Sequence, residues 1–110
     1  MTVKNLSLGD PIHPGEILRE DYLEELGMSQ NALAKAIHVP SNRINAICNG
    51  KRDITADTAA RLGKYFGTTM KFWLNLQIAY EIDVFMSQTS NESIEEIEPL
   101  IVAQTPFKGR

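Results

Sequence analysis

Ser41, Asn42, Arg43, Asn45, Asn49, Lys51 and Arg52 crowd one short stretch of the chain, and their types define a chemistry. Asn pairs with the adenine edge, Ser hydrogen-bonds to several base edges, and Arg reaches guanine or a phosphate. Lys51 and Arg52, with Asn49 before them, are suited to gripping a phosphate backbone. Gln30 is a further candidate, because it opens an expected helix whose free N–H groups and dipole favour an anion. Competing chemistries have less behind them. Cys48 is the single cysteine and has no thiol to pair with, and His13 and His38 lie too far apart to read as metal ligands. With no paired acid and base, neither an enzyme nor a bound cofactor or metal is expected.

A net charge of −3 over 110 residues argues at first against an anionic partner, but the charge is unevenly spread. Residues 1–28 set Lys4 and Arg19 against Asp10, Glu16, Glu20, Asp21, Glu24 and Glu25. Residues 29–64 reverse the balance, with Lys35, Arg43, Lys51, Arg52, Arg61 and Lys64 against Asp53 and Asp57. Residues 65–110 are acidic again, three basic side chains against six acidic ones. The middle segment alone is net positive and contains the amide-rich stretch, so phosphate contacts belong there. The length fits one domain, and 43% hydrophobic residues is ordinary for a globular chain. There is no membrane-length apolar run and no basic-then-apolar leader, so a soluble, cytoplasmic protein is expected.

The elements that must position these groups are all helical. Pro14 favours a helix start after His13, and Gly27 a stop, with Leu18, Tyr22 and Leu26 forming one apolar stripe between them. Ser29 is a natural N-cap for a second helix over residues 30–37, and His38-Val39-Pro40 leads into a third over residues 41–48. Thr55 and Gly67 bracket a fourth helix over residues 56–66. Thr69 can cap a fifth, from Met70 towards Met86. Gln88-Thr89-Ser90-Asn91 reads as a loop, residues 93–99 as one more acidic turn, and the tail ends in Lys108-Gly109-Arg110. No stretch alternates as a strand would.

Two short helices joined by a tight turn form a helix-turn-helix if apolar residues meet where they cross and a small one sits at the closest approach. Leu33, Ile37, Val39, Ile44 and Ile47 fill the first set of positions, and Ala34 the last. Projected at helical spacing, Ile44, Ile47 and Cys48 face inward, while Ser41, Asn42, Asn45, Ala46 and Asn49 face outward and Arg43 lies on the flank. The fifth helix is apolar on more than one face. That excess predicts a self-complementary dimer patch built on Phe72, Trp73, Leu76 and Tyr80, with Trp73 as core or dimer contact. Cys48, on the inner face, is expected to be an inert buried thiol.

The chain resembles the HigA-type antitoxins of toxin–antitoxin pairs, within the lambda-repressor-like group of helix-turn-helix regulators. The resemblance covers about residues 12–83. It rests on His13-Pro14-Gly15-Glu16-Ile17-Leu18, Ser29-Gln30 with Leu33-Ala34, Arg43-Ile44-Asn45, Gly50-Lys51-Arg52, Ile54-Thr55-Ala56-Asp57-Thr58-Ala59 and Phe72-Trp73-Leu74-Asn75-Leu76-Gln77. It implies an all-α, five-helix domain over residues 1–87, with a partly ordered C-terminal extension over 88–110. The implied function is a homodimer that binds a palindromic operator, represses its own operon and neutralises a RelE-like messenger RNA endoribonuclease. Gln30, Ser41, Asn42, Arg43 and Asn45 would then read DNA. One departure stands out: the turn position usually held by glycine is His38, which adopts a left-handed backbone less easily. The acidic first helix is either a solvated face or a surface for a basic ribonuclease. A regulator with no toxin partner, or a protein-binding module that has lost DNA binding, are the alternatives.

Overall fold

Pro14 opens the first helix of the structure, a computed structural model that describes residues 10–88 and 91–101. This helix, α1, is composite: an α-helical turn at Pro14–Ile17, a π-helical stretch at Leu18–Leu23 and a closing α-helical turn at Glu24–Leu26. The winding changes which residues the helix buries. A π turn returns to the same face after about five residues instead of four, which sets Leu23 over Leu18, and both are in the core. Tyr22 is half-buried and Leu26 is 59% exposed, so the regular stripe expected of Leu18, Tyr22 and Leu26 is corrected at its far end. Gly27 stops the helix in a left-handed conformation.

Helices α2 (Gln30–Ala36), α3 (Ser41–Cys48), α4 (Ala56–Phe66), α5 (Met70–Ser87) and α6 (Glu92–Glu95) follow, and no strand occurs among the described residues. Ser29 caps α2, its hydroxyl accepting from the Ala32 N–H at 3.0 Å, and Thr69 caps α5 by accepting from Phe72 N–H at 2.9 Å. Thr55 stands at the N-cap of α4, but its side chain accepts no bond there. The acidic turn expected over residues 93–99 is realised only as α6. Thr89, Ser90 and the tail through Lys108-Gly109-Arg110 lie outside the described residues.

The core forms where the helices cross. Leu33, Ala34, Ile37, Ile44 and Ile47 are buried together, joined by Leu18, Leu23, Cys48, Ile54, Ala59, Leu62 and Trp73, and Val39 packs against them half-buried. Tyr22 sits 4.8 Å from Phe66 and 5.0 Å from Trp73 between ring centres, tying α1 to α4 and α5. Burial pushes the Cys48 thiol up to about 11, which leaves it protonated and inert at neutral pH.

Helix α5 carries the expected surplus of apolar surface, on Phe72 among the residues named from the sequence but otherwise on residues farther along the helix. Trp73 is 0% exposed and donates its indole N–H to the Thr68 hydroxyl, so it has no surface to offer a second copy. Leu76 and Tyr80 are half-buried flank residues, and Phe72 is exposed. The side of α5 turned away from the core presents Ile78, Ile82, Phe85 and Met86, each more than 40% exposed.

Candidate nucleic-acid interface

Helix α3 is held by its neighbours so that one side is free. Its inner side chains, Ile44, Ile47 and Cys48, are buried, whereas Ser41, Asn42 and Asn49 are exposed and Asn45 and Ala46 are half-buried. The turn before it is fixed by backbone bonds: Ile37 N–H to Leu33 C=O at 3.0 Å and Val39 N–H to Ala34 C=O at 3.0 Å. His38 occupies the left-handed region with φ 63°, as its position in the turn requires. Arg61 of α4 reaches under the turn and donates to the Ile37 carbonyl at 2.9 Å, satisfying an acceptor that the end of α2 leaves open. Local spacing places Arg61 only in the positive segment and gives no sign of its clamp on the turn.

The exposed polar surface continues past α3. The chain turns with Gly50 N–H donating to Ile47 C=O at 3.0 Å and Lys51 N–H to Ala46 C=O at 2.8 Å, which brings Lys51 and Arg52 out beside the exposed amides. Ile54, just beyond, is anchored inside by Gln77 of α5, whose Oε1 accepts the Ile54 N–H at 2.8 Å while its Nε2 donates to Glu81 at 3.0 Å. Gln77 is a buried polar residue that holds the loop between α3 and α4, a role equally invisible in local spacing.

Gln30 begins α2, as expected, and is half-buried, as Asn45 is. Arg43 does not extend outward: its guanidinium binds the Asp57 carboxylate and lies 3.4 Å from the Thr58 hydroxyl, both on the first turn of α4. Its Nε is buried with no partner. Arg61 also contacts Asp57, at 3.1 Å, and the two guanidinium groups, Arg43 first, hold the Asp57 carboxyl below the usual range. Arg43 thus braces α3 against α4, and the exposed amide face is carried by Ser41, Asn42 and Asn49, with Asn45 behind them.

The start of α1 supports α3 from behind. An added Cβ on Gly15 would lie 1.7 Å from the Ile47 carbonyl oxygen, so only a glycine lets the two backbones meet. His13 caps this turn, its Nδ1 accepting the Gly15 N–H at 2.8 Å, and its ring meets Tyr80 edge-on at 4.8 Å. The Pro14 helix start was legible from sequence; the reason for a glycine after it was not.

A helix-turn-helix family model matches residues 20–73. Antitoxin HigA-1 of Vibrio cholerae is 36% identical over 96 residues, spanning 84% of this chain and 87% of that protein. The chain belongs to the HigA-type antitoxin family. Virulence-associated protein I of Dichelobacter nodosus is 55% identical to this HigA-type chain over 89 residues, 81% of each. The solved antitoxin HigA of Pseudomonas aeruginosa, a structure with the higBA promoter, superposes with a TM-score of 0.77 at 44% identity, covering 84% of this HigA-type chain and 100% of that one.

Proposed function

We propose that this HigA-type protein binds a palindromic operator in front of its own operon and represses it, with α3 in the major groove. The observation that carries the reading is the free side of α3, where exposed Ser41, Asn42 and Asn49 continue directly into exposed Lys51 and Arg52 on a helix whose opposite side is buried. Base-edge chemistry and phosphate chemistry are thereby adjacent on one rigid support. Reading a palindrome needs two such helices one DNA turn apart, and the outer side of α5 supplies an apolar surface for pairing two copies. A gel shift with the duplex upstream of the reading frame tests this. Asn42→Ala with Asn45→Ala should weaken that complex by roughly 1–3 kcal/mol for each base edge no longer engaged. Unchanged affinity in the folded variant would refute the assignment.

Membership of an antitoxin family supports a second activity, neutralisation of a RelE-like messenger RNA endoribonuclease encoded beside this gene. Co-expression with the neighbouring reading frame should relieve growth arrest and yield a co-purifying complex. Arrest that persists, with no complex, leaves the alternative of a regulator without a toxin partner.

A further inference from the structure

His13 stands where the support of α3, the loop of Lys51 and Arg52, and helix α5 converge. The residue is 9% exposed. On its own helix it takes the Gly15 N–H, and Gly15 is the residue pressed against the Ile47 carbonyl of α3. On the loop side, a Cβ built on Gly50 would lie 3.9 Å from His13 Cγ, so the ring packs under the turn that leads to Lys51 and Arg52. On α5 it meets Tyr80. One imidazole therefore touches three elements whose relative placement sets the reading surface.

Its protonation state is dictated by these contacts. Nδ1 accepts a hydrogen bond, so it holds a lone pair, and the neutral ring carries its proton on Nε2. Nε2 is buried and completes no hydrogen bond. A second proton would have to go to Nδ1, where it would confront the Gly15 N–H, donor against donor, at the positive end of α1.

We propose that neutral His13 is a positioning residue for DNA binding, setting α3 and the Lys51–Arg52 loop against α5, and that its protonation weakens recognition of the operator. The proposal rests on the DNA-binding reading above. Burial holds the His13 pKa below the ordinary histidine value, outweighing Asp53, the Arg52 backbone and Glu16, which favour the charged ring; Tyr80 faces it from α5. Ordinary protonation makes a protein more cationic and tightens its grip on any duplex as pH falls. His13 acts in the opposite direction, and on the specific complex.

The test compares the full-length chain with His13→Asn, whose side-chain oxygen can still cap Gly15 but which has no ring and no titration. Affinity is measured for the upstream duplex and for an unrelated duplex of equal length. From about pH 8 to about pH 5.5, the wild-type preference for the upstream duplex should fall, by less than the roughly tenfold an unshifted histidine could give; the folded variant should show a preference about fivefold lower at the start and flat with pH. A variant that matches the wild-type preference and its pH profile overturns the proposal. If the wild type shows no preference at about pH 8, the DNA-binding reading fails. The positioning role is then read by NMR on the free chain, where the Ile47 and Arg52 amides should titrate with the His13 ring; amides that ignore that titration overturn it.

Discussion

At the scale of single residues, Gly15 is the tightest point in the support of α3. Its Cα faces the Ile47 carbonyl, and the Cβ of an alanine would have to displace backbone. Gly15→Ala should therefore destabilise the protein by about 3 kcal/mol, as overpacking against backbone does, measured by urea unfolding. A decrease under about 0.5 kcal/mol would show that α1 can shift freely against α3. Asp57 is the opposite case, an exposed carboxylate that occupies Arg43 and Arg61. Asp57→Asn should free cations near the proposed DNA face, so the salt dependence of duplex binding should steepen by about one ion per freed cation. The pH signature has a defined sign. Because the folded carboxyl sits below its ordinary range, its contribution to stability is present above that range and disappears as pH falls through the depressed value. The Asn variant should therefore lose less stability on acidification than the wild type.

At the scale of elements, much was legible and the exceptions share a cause. Ser29, Thr69, Gly27 and Gly67 mark ends that depend on neighbours a few residues away, and those ends fall where spacing puts them. The crossing of α2 and α3 was legible because Leu33, Ala34, Ile37, Ile44 and Ile47 lie within one short segment. The π winding of α1 was not, since Leu18 has apolar residues at both Tyr22 and Leu23, and local spacing does not choose between them. The tie of Arg43 to Asp57, fourteen positions on, leaves no trace in local spacing. Gln77 belongs to the same class, reaching back 23 positions to Ile54. Gln77→Met keeps the volume and removes the acceptor, so the buried Ile54 N–H is left without a partner. Stability should fall by about 1–3 kcal/mol, read from denaturant midpoints, and Lys51 and Arg52 should exchange amide hydrogens faster. Unchanged exchange in the loop would show that Gln77 does not hold it.

At the scale of the whole molecule, the basic middle segment and the apolar outside of α5 serve different ends. Trp73 and Gln77 point α5 into its own bundle, while Ile78, Ile82, Phe85 and Met86 point away. On the proposed pairing of two copies through this side, Ile82→Glu should leave the fold intact, as judged by Trp73 fluorescence, and sediment as a monomer where the wild type sediments as a dimer. A variant that still sediments as a dimer would move the pairing surface elsewhere. The exposed flank of α5 also has an arithmetic consequence. If two chains must meet there before a palindrome can be held, operator occupancy at low dose follows the square of the number of copies, and halving the copies cuts it about fourfold. The same surface would then make the protein a gauge of its own abundance.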